Sequence, residues 1–106
     1  MINSIFVNLP VKSLKTSVDF FAELGFNFNP QFTDETSTCM LVGDNIYVML
    51  LEHSKFQGFI SKPIASSDTT EAILAFGLDS AEEVRALTSK ALELGARKLN
   101  EPEDIG

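Results

Sequence analysis

The chain has 106 residues, of which 44% are hydrophobic and 22% are charged, as in an ordinary small globular domain. The formal net charge of −7, with only eight Lys and Arg residues, argues against nucleic-acid binding and against an anionic membrane surface, because both require clustered cations. Cys39 is the single cysteine and cannot form an intrachain disulfide, and no signal peptide or membrane-spanning run is predicted, so we expect a cytoplasmic protein.

The first predicted elements are a strand and a helix. Residues 4–9 alternate between an apolar and a mixed face, which predicts a strand that ends at Pro10, because proline has no N–H to donate to a neighbouring strand. Ser13 is placed to cap the helix that follows. Apolar residues then recur at helical spacing until Gly25, which we expect to end the helix in a left-handed conformation.

Three further strands are predicted after this helix, over residues 26–32, 38–42 and 46–51. The tripeptide at 43–45, Gly-Asp-Asn, predicts a compact hairpin loop, because these residue types tolerate positive φ. The last strand is nearly continuous in apolar residues, so we expect it to be central and buried on both faces. The first unit therefore has the order βαβββ.

A long connection over residues 53–70 separates this unit from the next. Within it, Phe56, Phe59 and Ile60 could form one apolar face of a short helix that stops before Pro63. We interpret that face as a buried edge rather than as a lid.

The second unit repeats the strand and helix of the first. A strand is predicted over residues 71–78, and the helix after it, capped by Ser80 with Glu83 three residues on, ends in Glu-Leu-Gly as the first helix does. Residues 97–99 could form a short strand, and the acidic residues 101–104 indicate a solvated loop. The inner stripe of the helix is expected to comprise Val84, Leu87, Ala91 and Leu94.

This order of elements resembles the glyoxalase/bleomycin-resistance/dioxygenase family, also called the vicinal oxygen chelate superfamily. The resemblance covers the whole chain and rests on the phrase NLPVKSLKTSVDFFAELGF, the hairpin GDNIYVMLLE and the second helix. It implies an α+β fold of paired βαβββ modules, whose curved sheets surround a ligand cavity and which commonly assemble as homodimers. Residues 1–66 would form the first module with its connecting loop, and residues 67–106 a second, incomplete module, apparently truncated after its helix.

In metal-using members of this family, His, Glu or Gln ligands come from the first and last strands of each module. Matching the quoted phrases places these positions at Phe6, Met49 and Ile73, with the fourth beyond Gly106. None of the three carries a donor suited to a hard or borderline divalent metal, and a shift of one residue gives only further apolar residues. The resemblance therefore implies a metal-independent member, and no cofactor is expected.

Every second residue of a strand points to the same side, so counting in steps of two from the matched positions predicts one strand face that could line the cavity. An apolar strand face usually packs two layers together, but it could also form a pocket in which Asn8 and the Tyr47 hydroxyl orient a small-molecule ligand. The residues alone do not decide between the two. The candidate cavity residues are Phe6, Asn8, Tyr47, Met49, Leu51, Ile73 and Ala75.

The Glu52–His53 pair and Cys39 are two further candidate sites. Glu52 and His53 are neighbours, and such a pair can perform acid–base chemistry near neutral pH. Because adjacent strand residues point to opposite faces, we interpret both as solvated loop residues. Cys39 lies in an apolar strand without a neighbouring His, which indicates a buried core residue rather than a nucleophile. The catalytic residues stay unknown.

The leading hypothesis is a metal-independent family member that holds a small, partly apolar molecule in this cavity. Two alternatives stay open. One is a metal-dependent lyase or thiol transferase of the lactoylglutathione-lyase type. The other is a non-catalytic assembly unit that a partner chain completes.

Overall fold

The structure, a computed structural model, describes residues 1–96. Two compact units divide the chain, Met1–Ala72 and Ile73–Gly106. This division reflects how compactly the residues pack and does not test where a sequence module begins. The module boundary predicted between residues 66 and 67 therefore stays a prediction. The predicted short strand at 97–99 and the acidic loop at 101–104 lie outside the described residues.

The first unit contains a mixed four-stranded sheet and confirms the predicted βαβββ order. The strand order is β1-β4-β3-β2, with β1 parallel to β4 and the other two pairings antiparallel. The elements are β1 (Ile5–Val11), α1 (Leu14–Glu23), β2 (Asn27–Asn29), a 3₁₀ turn (Pro30–Phe32), β3 (Ser37–Gly43), β4 (Ile46–Glu52) and α2 (His53–Gln57).

Both ends of α1 are formed by the residues that the sequence predicts. The Ser13 hydroxyl accepts a hydrogen bond from the backbone N–H of Thr16 over 3.3 Å, which satisfies one of the N–H groups that a helix start leaves unpaired. At the other end Gly25 has φ +103°, a conformation that glycine adopts without steric cost. The helix thus begins and ends on local signals.

The hydrophobic core lies between α1 and one face of the sheet. Leu14 from the helix packs with Met40, Val48 and Leu50 from the two central strands, and all four are buried. Fully burying an aliphatic side chain of this size contributes about 1.5–3 kcal/mol. The half-buried residues packed around this core are Val7, Leu9, Val11, Val18, Phe21, Phe26, Phe28 and Val42.

Three strand predictions need correction. β1 does not end at Pro10 but continues to Val11; β1 is an edge strand, so a missing N–H is tolerated there. The second strand has only three residues, because Pro30 opens a 3₁₀ turn that the Asn29 side chain caps, and Phe32 lies in that turn. β4 is central as predicted, yet Met49 on one of its faces is only half-buried.

The hairpin between β3 and β4 follows the prediction. Asn45 has φ 60°, and it is the only non-glycine residue with positive φ among residues 1–96. Cys39, in the middle of β3, is a free thiol with no exposed surface, which confirms its interpretation as a buried residue.

The second unit contributes one helix, α3 (Ala81–Glu93), to the described part of the chain. The Ser80 hydroxyl caps it by accepting from the N–H of Glu83 over 3.1 Å, as predicted. The predicted strand over residues 71–78 is wrong: this stretch has no ladder pairing with any described strand. A strand needs a neighbour for its backbone hydrogen bonds, and apolar alternation alone does not supply one.

The predicted inner stripe of α3 is not buried. Val84 is 41% exposed, and Leu87, Ala91 and Leu94 are half-buried. None of the described helices has the length and apolarity needed to cross a membrane.

Candidate functional site

The sheet has a second face, turned away from α1, which we call the open face. In the parallel β1–β4 pairing, Phe6 lies beside Tyr47, Asn8 beside Met49 and Pro10 beside Leu51. Directly paired residues point to the same side of a sheet, and the intervening residues Val48 and Leu50 belong to the core. Phe6 and Met49 therefore share the open face.

A pocket of about 420 Å³ lies against the open face, and we call it the sheet pocket. This volume is within the range of small-molecule sites. Met49 and Leu51 of β4 provide apolar surface, and Phe32 and Phe59 add aromatic surface from outside the sheet. The other lining residues are Asn8, Gln31, Thr33, Asp34, Ser37 and Lys55.

The structure divides the seven predicted cavity residues into three groups. Asn8, Met49 and Leu51 line the sheet pocket. Phe6 and Tyr47 share its face but stack on each other, with ring centroids 4.4 Å apart and planes 18° from parallel.

Ile73 and Ala75 belong to the second unit and do not lie in a strand, so their predicted place on a strand face is wrong. Ile73 is 87% exposed. Apolar residues at alternating positions do not share a sheet face unless the segment pairs with a neighbouring strand.

Asp34 is the most strongly hydrogen-bonded side chain of the pocket. Its Oδ1 accepts from the Thr36 backbone N–H over 2.8 Å, and from the Thr36 and Ser37 hydroxyls over 3.1 Å each. The Thr36 N–H, the two hydroxyls and, more weakly, the Lys55 charge hold the pKa of Asp34 below its ordinary value. Asp34 is therefore a carboxylate at neutral pH.

Lys55 reaches the same pocket from α2. Its Nζ lies 3.9 Å from Asp34 Oδ2, which is within ion-pair range but longer than a hydrogen bond. The Lys55 side chain is 42% exposed. The Asp34 carboxylate and the Lys55 ammonium thus add charge to a pocket whose other lining residues are half apolar and half neutral polar.

Sequence reasoning missed both charged residues. It assigned no role to Asp34 or to Lys55. The Asp-Glu-Thr-Ser stretch at 34–37 does carry a signal, since an Asp followed two residues later by Thr favours a turn closed by the carboxylate. No local pattern indicates that Lys55 would meet this turn.

Glu52 and His53 are not loop residues, which corrects the prediction. Glu52 is the last residue of β4, and its Oε2 accepts from the N–H of Leu14 over 2.9 Å. His53 is the first residue of α2 and lines a second pocket of about 340 Å³, together with Lys12 and part of the segment 64–71. Because Glu52 is engaged at the start of α1, the two side chains do not form an acid–base pair.

Cys39 does not have the character of a nucleophile. Its side chain is buried, and burial raises the pKa of the thiol by disfavouring the thiolate. It is paired with Met49 in the β3–β4 ladder, so its side chain points to the open face, where it has no exposed surface.

The described residues do not fit the metal chemistry of metal-using family members. Phe6 and Met49 occupy the matched positions, and neither offers a donor for a hard or borderline divalent ion. Across residues 1–96, no three or more His, Cys, Asp or Glu side chains come together in a way that could hold a metal ion.

The first unit has the fold of a class of α+β proteins that contain a βαβββ module. Residues 3–43 match a family model described as bleomycin resistance protein-like N-terminal. A solved structure of a hypothetical protein from S. aureus is similar to this chain with a TM-score of 0.78 and 32% sequence identity, over 98% of this chain and 79% of that one. No curated protein matches the chain. This chain therefore belongs to the glyoxalase/bleomycin-resistance superfamily.

Proposed function

We propose that this protein binds a small, partly apolar molecule in the sheet pocket and does so without a metal. The observation that carries the proposal is the convergence of Met49, Leu51, Phe32 and Phe59 on one pocket of about 420 Å³. Burial of a ligand's apolar surface there would contribute about 25 cal/mol per Å². Asn8 and Gln31 add neutral polar groups that would orient the ligand.

The proposal is for binding and assigns no reaction. A lactoylglutathione-lyase-like lyase or a thiol transferase would need a metal site, and the matched positions provide no ligands for one. Thermal unfolding with Ni²⁺, Zn²⁺ and Mn²⁺ separates the alternatives. We expect no change in Tm with any of the three ions, and a saturable rise in Tm with one of them would favour the metal-dependent alternative.

Binding is tested with a neutral apolar fluorophore, N-phenyl-1-naphthylamine. We expect a saturable rise in its fluorescence on addition of the protein. Met49→Gln, which keeps the side-chain length but makes the pocket polar, should weaken this binding several-fold.

Leu41→Gln is the matched control, because Leu41 lies on the same sheet face beside Tyr47, is 37% exposed and does not line the pocket. This variant should bind the fluorophore as the natural protein does. Equal loss of binding in both variants, or no binding by the natural protein, would count against the sheet pocket as the site.

We also propose that the protein is a homodimer. The second unit exposes several large apolar side chains, which supports a surface covered by a second copy. They are Ile73, Leu74, Phe76, Leu78, Val84 and Leu92. Sedimentation equilibrium at micromolar concentration should give twice the chain mass of 11.6 kDa, and a monomer would refute the dimer.

The location that we propose is the cytoplasm. Cys39 is a buried free thiol, and the chain has no second cysteine with which to form an intrachain disulfide, as is usual in a reducing compartment.

A further inference from the structure

We propose that the ligand of the sheet pocket is an amphipathic anion, with an apolar body and a carboxylate-like group that binds Lys55. This inference rests on the proposed function, because it names the class of molecule that the pocket takes.

The first step concerns the hydrogen bonds and the charged neighbour of the Lys55 ammonium. Its nearest charged neighbour, Asp34 Oδ2, is 3.9 Å away, and Lys55 Nζ makes no hydrogen bond to any of residues 1–96. An ammonium has three N–H donors and no acceptor. Lys55 therefore keeps its donors available while its charge is held near the pocket by Asp34.

The second step is that Asp34 is poorly suited to bind a cation from the ligand. Its Oδ1 already accepts three hydrogen bonds from Thr36 and Ser37, and its Oδ2 faces Lys55. A cationic ligand would have to compete with Lys55 for Oδ2. An anionic ligand would instead share Lys55 with Asp34, since one ammonium can donate to two acceptors at once.

The third step is the neutral donors beside Lys55. The Gln31 side-chain amide makes no hydrogen bond to the described residues, and Asn8 donates only a long one, 3.5 Å, to the carbonyl of Phe6. Either amide could donate to the second oxygen of a carboxylate. The pocket thus combines one cation, which has no hydrogen bond to the described residues but lies in ion-pair range of Asp34, and two amides with the apolar surface of Met49 and Leu51.

Because the protein carries a net negative charge, a preference for an anionic ligand would point to a specific local cation. With a net charge of −7, the protein as a whole repels anions, so a preference for an anionic ligand must come from a local cation. Lys55 is the only Lys or Arg side chain among the lining residues of the sheet pocket within the described part of the chain.

The experiment compares three probes that share one apolar body: 3-phenylpropanoate, its neutral amide 3-phenylpropanamide, and 3-phenylpropylammonium. Binding is followed by NMR of protein labelled with ¹³C at the methionine methyl groups. Met49 lines the pocket, Met40 lies in the core on the other side of the sheet, and Met1 is at the terminus, so the last two are internal references. Met49→Leu assigns the reporting signal.

We expect all three probes to shift the Met49 signal and to leave that of Met40 unchanged. The carboxylate should bind about tenfold more tightly than the amide, as for one hydrogen bond to a charged group. The ammonium should bind most weakly. High salt should reduce the advantage of the carboxylate, because Lys55 is partly exposed.

Lys55→Gln, which removes the charge and adds no methionine signal, should remove the advantage of the carboxylate over the amide. Lys62→Gln is the matched control, because Lys62 is exposed and does not line the pocket; it should keep the carboxylate preference of the natural protein. An unshifted Met40 signal verifies that each variant is folded.

The outcomes separate the two proposals. Equal binding of carboxylate and amide, strongest binding of the ammonium, or a carboxylate preference that survives Lys55→Gln would overturn the anionic class and leave the proposed pocket standing. If none of the three probes shifts Met49, the proposed function itself fails.

Discussion

The carboxylate of Glu52, the last residue of β4, accepts a hydrogen bond from the backbone N–H of Leu14, the first residue of α1, over 2.9 Å. The two residues are far apart in the chain, and this bond fastens the start of the helix to the end of the central strand. With the Ser13 cap, it satisfies a second N–H at the helix start and places a negative charge at the positive end of the helix dipole.

Glu52→Ala should therefore destabilise the fold by about 1–2 kcal/mol, because a half-buried N–H loses its partner and the helix loses a favourable charge. Glu52→Gln keeps an acceptor and should cost less. Urea denaturation measures both effects. Glu35→Ala, in an exposed turn, is the control and should change the free energy of unfolding by no more than about 0.5 kcal/mol. A similar loss in both alanine variants would refute the role of Glu52.

Gly25→Ala should destabilise the protein by about 1–2 kcal/mol, because an alanine at φ +103° is strained. A Cβ there would meet no atom within 4 Å, so the cost is conformational and not steric. Gly77→Ala is a matched control, since that position also has open space but no positive φ. Chemical denaturation of both variants tests this, and equal effects would show that backbone strain is not the cause.

The pH dependence of stability should include a contribution from Asp34. Hydrogen bonds lower the pKa of Asp34 in the folded state, so the unfolded state takes up a proton first as pH falls. The stabilisation is therefore fully present above the ordinary pKa of 3.8 and is lost as pH falls below it through the folded-state value. Asp34→Asn removes this titration.

Urea denaturation between pH 2 and pH 6 would show the effect of that substitution. The difference in unfolding free energy between the natural protein and Asp34→Asn should be largest near pH 6 and should shrink towards pH 2. A difference that is constant across the range would show that the carboxylate charge is not involved.

Cys39 should be unreactive in the native protein. It has no exposed surface, and burial raises the pKa of its thiol, so little thiolate forms and reagents cannot reach it. Reaction with Ellman's reagent at pH 8 should be slow in buffer and rapid in concentrated urea. A fast native reaction would place Cys39 at an accessible site.

Much of the secondary structure could be predicted because its signals are local. Ser13, Gly25 and Ser80 act on backbone groups within a few residues, and the hairpin at 43–45 depends on a single left-handed residue, Asn45. Alternation along β1 and β4 likewise placed Phe6 and Met49 on one face, since side-chain direction in a strand has a period of two. Family membership followed from the same order of elements.

The predictions that failed depended on partners distant in sequence. Residues 71–78 have the alternation of a strand but no ladder partner among the described strands. Glu52 was predicted to be solvated, but in the folded protein its carboxylate accepts a hydrogen bond from the N–H of Leu14. Alternation shows that a segment is able to form a strand, and charge shows that a side chain is able to face water. The hydrogen-bond partners elsewhere in the chain determine which structure is formed.

The sequence by itself determined where α1 and α3 begin and end, which residues of β1 and β4 share a side, and that Phe6 and Met49 offer no donor suited to a divalent metal. Each of these follows from the chemistry of one residue and its near neighbours. Only the tertiary structure decided which residues meet in the sheet pocket. Asp34 and Lys55 come from separate segments and approach only because β3 and β4 pair and α2 follows the end of β4, a long-range arrangement that no local pattern encodes.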